Sequence, residues 1–305
     1  MNASMPSRMR YHVTHETEYR YASEVSISRQ ALHLAPQHTA YQRVHRHALR
    51  IEPAPTHRTD EIDCFGNPLT RLEIDQPHRE LLVVAEMDVE VAARVAQLNL
   101  DDSPRWEDAA AQYAYLAGHA PHPSALEANR YRHESPFIRF DAEFADFARD
   151  CFAPGTPLLR AVQHLMSKIY SEFRFDNTAT QIATPLAEVL ENRHGVCQDF
   201  AHLMIVGLRA FGLPARYVSG YLLTVPPPGM PRLIGADASH AWVSVHCPQN
   251  GWVDFDPTNN VLPDLSHITL AWGRDFGDVS PLRGIILGGG EHELKVRVTV
   301  TPAAA

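Results

Sequence analysis

The 305-residue sequence predicts an α+β fold: an antiparallel, β-sandwich-like region first, then a layer of helices packed on a second antiparallel sheet. Three observations carry that prediction. Between Arg10 and about Ala96, apolar residues recur at every second position, the period of half-buried strands. From Asp141 to Phe211 they recur at helical spacing instead. After Pro214 the period returns to two, so strands follow the helices.

In chain order, the first region holds the alternating sets Tyr11, Val13 and His15, Tyr19 and Tyr21, Leu32 and Leu34, Leu49 and Ile51, Leu72 and Ile74, and Val89 and Val91. These read as short strands separated by turns. The clearest turn is Phe65-Gly66-Asn67-Pro68, because Gly and Asn tolerate positive φ and Pro ends strand pairing. Asp101 to Gly118 reads as a short helix capped by Ser103 with Pro104 at its first position, and Pro121 to Ser124 as a linker. A second helix begins near Asp141 and puts Phe144, Phe147, Ala148 and Cys151 on one side. A longer one opens at Thr156-Pro157, with Leu158, Leu159, Val162, Leu165, Met166, Ile169, Tyr170 and Phe173 on its apolar side. Thr184-Pro185 repeats the start signal for a short helix through Leu190. Strands are expected over 216–224, 239–247 and 251–256, the last two joined by a hairpin through Pro248 to Gly251. Pro226 to Gly229 cannot lie inside a sheet and belongs to an exposed loop. Leu294, Val296, Val298 and Val300 give a last strand, and the sequence leaves open which sheet it joins. The expected organisation is a β-rich domain (8–96), a helical connection (97–150), a core (151–275) and a tail with the final strand (276–305).

The chemistry concentrates at the stretch from Gly195 to Phe211. Phe200, Leu203, Met204, Gly207, Leu208 and Phe211 form the one-sided stripe of a core helix, and Gly212 and Pro214 end it. Cys197 falls in the first turn, just behind a glycine. Unpaired N–H groups and the positive end of the helix dipole there favour a thiolate over a thiol. Further on, His240, Trp242, Ser244 and His246 share one strand face, and Trp252, Asp254 and Asp256 share another. If the hairpin pairs residues whose numbers sum to an even value, His240 and Asp256 project to the same side. That side is expected to be the one covered by the Cys197 helix. A thiol, an imidazole and a carboxylate would then meet, which is what nucleophilic acyl transfer requires.

Composition narrows the alternatives. Lys and Arg number 27 against 36 Asp and Glu, which argues against a nucleic-acid partner held through phosphates. No run of about 18 apolar residues could span a membrane. The polar N-terminus lacks the apolar segment of a secretory signal. Four cysteines with no C-x-x-C pair fit neither a disulfide framework nor a structural zinc site, so a reducing cytoplasm is the expected compartment. His45 and His47 would share a strand face, but no third ligand recurs with them and there is no H-E-x-x-H pair. Neither a metal nor a cofactor is expected. The oligomeric state is left open.

Four ordered blocks resemble the core of the bacterial transglutaminase-like cysteine proteins. They are Gly195-Val196-Cys197-Gln198-Asp199, the run from Pro214 to Tyr221, Asp237-Ala238-Ser239-His240-Ala241-Trp242, and the run from Gly251 to Asn259. The strands around Tyr19, Tyr21 and Phe65-Gly66-Asn67 resemble the β-rich domain that precedes this core, and Gly273-Arg274-Asp275-Phe276 with Gly288 to His292 resemble its tail. The resemblance implies a papain/transglutaminase-like core in which Cys197 is the nucleophile, His240 the base and Asp256 its orienter. Asp254 competes with Asp256 by parity alone. Asp199 is read as a helix-start carboxylate that caps N–H groups or holds a neighbouring loop, and Trp242 as support beside the acyl site. His202 and His246 are read as structural and Cys247 as buried. The expected function is acyl transfer on protein or peptide amides through a thioester, with hydrolysis favoured over transglutaminase-type amine transfer. A non-catalytic protein-binding scaffold is the rival from another class.

Overall fold

The computed structural model describes residues 7–114, 123–176, 184–224 and 238–303. It opens with one long strand, β1 (Arg8–Leu32), since the alternation that begins at Tyr11 continues past Tyr21. Ala22 and Ser23 donate to the carbonyls of Glu291 and Gly289 instead of turning the chain. Strands β2 (Gln42–Glu52), β3 (His57–Ile62), β4 (Pro68–Ile74) and β5 (His78–Ala92) complete an antiparallel array in the order β2-β5-β1-β4-β3. Half-way along, β1 exchanges β5 for β4 as its neighbour. The predicted antiparallel start is present, with one continuous strand where the alternating pairs suggested several short ones.

The helical layer comprises α1 (Trp106–Tyr113), α2 (Pro123–Asn129), α3 (Ala142–Ala148), α4 (Leu158–Glu172), α5 (Leu186–Asn192) and α6 (Cys197–Ala210), with the two-residue strands β6 (Arg174–Phe175) and β7 (His194–Gly195) between them. Ser103 does not cap α1, which starts only at Trp106. Its hydroxyl accepts the Leu159 N–H at 3.0 Å and donates to the Leu100 carbonyl at 2.7 Å, so it fastens the start of α4. The expected helix end at Gly118 and the linker residues Pro121 and His122 lie outside the described residues. Pro123 and Ser124 open α2 rather than extend a linker, as proline is tolerated in a first helical turn. On α4 the predicted stripe is buried except for Tyr170, which is 52% exposed. Helix α6 ends where predicted, with Gly212 at φ +74°. Arg209 in its last turn is buried and donates to the carbonyls of His133, Ala215 and Arg274, which satisfies groups that a helix end brings out of water.

The second sheet contains β8 (Ala215–Leu222), β9 (Ala238–Cys247), β10 (Gly251–Phe255) and β11 (His267–Gly273), antiparallel in the order β10-β9-β8-β11. Trp252 pairs with His246 and Asp254 with Ser244, the even-sum register. Pro226 to Gly229 lie outside the described residues. Strand β11 was not foreseen, because Ile268 to Ala271 are buried on both faces and therefore show no alternation. After α7 (Phe276–Val279), β12 (Leu282–Gly288) and β13 (His292–Pro302) return to the first sheet. Strand β13 pairs with Tyr11–Tyr21 and β12 with Val25–Leu32, so the chain's end closes on its beginning.

The two faces of the second sheet are covered by different material. Odd-numbered residues, among them Tyr217, Val243, Val245 and Phe255, are buried on the side of α6, whose His202 ring sits 5.1 Å from that of Tyr217. The other face, even-numbered on β8 to β10 and shared by His267 of β11 across that strand's register shift, is largely polar and aromatic. The Arg216 guanidinium lies between the rings of Trp252 and Trp272 at 4.2 and 4.1 Å. Trp242 donates to Asp254 at 3.1 Å, and Asp254 pairs with Arg94 at 3.0 Å. Arg94 in turn stacks on Tyr41, and Tyr113 of α1 is hydrogen-bonded to His246. The body of α6 thus covers the face opposite to the one expected. His240 and Asp256 share their even parity with Trp242 and Asp254, while the aliphatic residues that attract a core helix are odd-numbered.

Candidate active site

Residue type dictates how the start of α6 is built. The Val196 N–H, left without a helical partner, donates to the Asp199 carboxylate at 2.9 Å. Asp199 is therefore the cap expected of it. A Cβ at position 195 would press on that carboxylate at 2.8 Å, so the glycine lets the backbone approach. Cys197, the first residue of α6, is partly exposed and packs against the core. Burial pushes the Tyr217 phenol well above its usual range, and Cys197 and Asp199 add to the shift.

Strand β10 ends at Phe255, opposite Val243, so residues 238–242 of β9 run on without a β10 neighbour. His240 sits on this open side, buried, near enough to Cys197 for the thiol to bear on its charge. Thiol and imidazole thus meet at the sheet edge, not under the body of the helix. Asp256 follows β10 directly and is fully buried. Its Oδ2 lies 2.8 Å from His240 Nε2. An ionised carboxylate can only accept, so Nε2 carries the proton and Nδ1 is left to the thiol. Burial opposes charge on His240, but the hydrogen bond to Asp256 and the nearby Cys197 outweigh it and raise the imidazole above its ordinary range. For Asp256 the two neighbouring imidazoles outweigh burial and hold the carboxyl well below the usual carboxylate range.

The second imidazole is His267, which sequence reasoning missed. Its Nε2 lies 3.1 Å from the same Asp256 Oδ2, and its Nδ1 lies 3.1 Å from Ser266 Oγ. A histidine opening an apolar run carries no signal that would separate it from a core residue. Asn259, in the fourth sequence block, donates its side-chain N–H to Oδ2 at 2.7 Å, while the Thr258 and Asn259 backbone N–H groups serve Oδ1. Asp254 is engaged by Trp242 and Arg94, so of the two parity-related carboxylates only Asp256 is bonded to His240. Trp242 is fully buried, with its ring 6.2 Å from that of His240 and edge-on to His267 at 5.3 Å; it backs the site rather than lining an open pocket. His202, His246 and Cys247 are buried, as read. Among the described residues, one set of donors could hold a divalent cation: His240, Asp256 and His267, whose ligand atoms all lie within 4.8 Å of one another. Each is already engaged in the hydrogen bonds given above.

Comparison with known proteins gives this geometry a lineage. Residues 11–90 match the model of the bacterial transglutaminase-like N-terminal region, and residues 145–257 that of the transglutaminase-like superfamily. An uncharacterized protein of Mycobacterium tuberculosis is 41% identical over 298 residues, which cover 96% of this chain and 93% of that one. The chain belongs to the transglutaminase-like superfamily. An uncharacterized Mycobacterium leprae protein is 29% identical over 97% of this chain and 99% of its own length. A solved structure from Cytophaga hutchinsonii, described as that of a candidate cysteine protease, has the same fold, with a TM-score of 0.74 at 18% identity over 98% of this chain and 92% of its own. A protein-glutamine gamma-glutamyltransferase of Pseudomonas aeruginosa is 39% identical over 77 residues, 25% of this chain and 12% of that protein.

Proposed function

We propose that the protein is a cysteine-dependent enzyme that transfers the acyl group of a protein or peptide amide through a thioester on Cys197, with water as the acceptor. The reading is supported above all by His240, which is bonded to Asp256 at 2.8 Å and lies near enough to Cys197 for the thiol to bear on its charge. His240 takes the thiol proton at Nδ1, and the sulfur attacks the amide carbonyl carbon. As the tetrahedral adduct collapses the C–N bond breaks, and the imidazolium returns the proton to the departing amine. Water then adds to the thioester with His240 as base, and the C–S bond breaks to restore the thiol. The Cys197 N–H at the helix start serves as one oxyanion donor.

A second reading, amine transfer in place of hydrolysis, has one observation in its favour: the local match to a protein-glutamine gamma-glutamyltransferase. Alkylation of the purified protein across pH, read by mass spectrometry, tests the shared first step. Cys197 is expected to react faster near neutral pH than exposed Cys64. Equal rates would sink both readings. A glutamine-containing peptide offered with a labelled amine then separates them: free acid supports hydrolysis, labelled peptide supports transfer.

A further inference from the structure

We propose that His267 is a positioning residue for the Cys197–His240–Asp256 chain, and that the N-terminal sheet acts on the reaction by holding the strand that carries it. The inference rests on the acyl-transfer reading above.

Asp256 has no exposed surface and must be held entirely by protein groups. Its Oδ1 is fixed by two backbone N–H groups of its own turn. Its Oδ2 faces His240, and two further donors set its angle: Asn259 from the same turn and His267 from a strand on the far side of the sheet. The His267 tautomer follows from its neighbours. Nε2 must carry a proton to face an acceptor-only oxygen, so Nδ1 accepts from the Ser266 hydroxyl. Burial lowers the basicity of this ring, in keeping with a neutral donor. The charged groups bearing on it are Asp256, His240 and Arg94. A neutral donor there fixes the carboxylate plane without placing a second positive charge beside His240.

The position of His267 is set from outside the second sheet. Strand β11 is an edge strand, yet its free edge is occupied by two side-chain amides of the first sheet region acting as a substitute strand. Gln42 accepts the Thr269 N–H and donates to the Thr269 carbonyl, both at 2.7 Å. Asn67 accepts the Trp272 N–H at 2.9 Å and donates to the Trp272 carbonyl at 2.8 Å. Asn67 belongs to the Phe65-Gly66-Asn67 turn, the clearest turn in the sequence. The Tyr11 hydroxyl donates to the Leu265 carbonyl at 2.8 Å, two residues before His267.

The test is the pH profile of iodoacetamide alkylation at Cys197 in the full chain, followed by mass spectrometry for wild type, His267→Gln, His267→Asn and Asp256→Ala. The Gln Nε2 reaches the place of the imidazole Nε2, whereas the shorter Asn does not. His267→Asn is expected to slow alkylation at neutral pH roughly tenfold, the worth of one hydrogen bond to a charged group, and to move the profile toward that of Cys64. His267→Gln is expected to restore both. Gln42→Leu, which leaves the site residues in place, is expected to move the profile in the same direction by less. The inference is overturned if His267→Asn matches wild type, or if Gln and Asn are equally impaired, since packing alone would then explain the residue. An effect of Asp256→Ala in either case leaves the acyl-transfer reading standing. If Asp256→Ala also has no effect and Cys197 reacts no faster than Cys64, it is that reading which fails.

Discussion

The two faces of the second sheet use the same four strands for different ends. The odd-numbered face is mostly apolar and holds α6 chiefly through buried area, which is tolerant of chemistry and sensitive to volume. The even-numbered face buries Arg216, His246, His240 and Asp256, and each of these must be partnered. A covalent anchor and a proton relay need different supports: Cys197 is located by packing of its helix, while His240 and Asp256 are located by hydrogen bonds. The difference predicts that lesions on one face should cost stability and lesions on the other should cost reactivity.

The largest expected effect tests the even-numbered face. In Asp256→Asn the amide can donate to His240 Nε2 and force the proton onto Nδ1, where a base is needed. Amide turnover should fall by about 10³- to 10⁴-fold, the size seen for tautomer reversal in a catalytic triad. Turnover near that of wild type would remove Asp256 from the mechanism.

On the opposite face, Leu203→Ala at a fully buried position of α6 should lower unfolding free energy by about 2–5 kcal/mol through lost transfer and a residual cavity. The Cys197 alkylation rate of the folded protein should change little. If reactivity fell in step with stability, the two faces would not be separable. Gly220→Ala is a sharper probe, since a Cβ there would run into the Ile268 carbonyl and the Trp242 ring. It should cost about 1–3 kcal/mol by overpacking and, by displacing Trp242 behind His240, should reduce alkylation as well. A neutral outcome in urea unfolding would mean that β8 and β11 yield more easily than their pairing suggests.

Smaller effects should appear in the pH dependence of stability, where two histidines differ in sign. His202 accepts the Phe276 N–H at Nε2, and burial, aided by Arg209, pushes it down to about 3 from 6.5. The unfolded chain binds that proton more readily, so this contribution is full above 6.5 and is lost as pH falls toward 3. His240 is raised, so its contribution is full below the unfolded imidazole value and declines as pH climbs through the folded one. Asp256 is depressed and contributes above the unfolded carboxylate value, its share being lost only in strong acid. Urea unfolding across pH should therefore show a weaker acid slope in His202→Gln and a weaker alkaline slope in His240→Gln. Unchanged slopes in both would contradict the assignment.

Much of this is legible in the sequence. Periodicity located the helices from Asp141 to Phe211, and hairpin parity put His240 and Asp256 on one side. Gly195 and Gly212 marked the start and stop of the helix that carries Cys197. Local signals failed where a residue's partners are distant. Ser103 reads as a cap because its flanking sequence is that of a cap, yet its hydroxyl serves α4. Strand β11 lacked alternation because both its faces are buried.

By itself, the sequence determined the α+β class, the order of its helical and β segments, and a cysteine at a helix start with a histidine and two same-face carboxylates downstream. Those are properties of spacing, and spacing is local. Only the tertiary structure decided that α6 lies on the odd-numbered face and that Cys197 meets His240 at the sheet edge. It also gives Asp256, as the resemblance implies, the bond to the imidazole, and places His267, which the sequence did not single out, beside it. These depend on how strands far apart in the chain are brought into register. Gln42 and Asn67, more than two hundred residues from the edge they bond, show how far that dependence reaches.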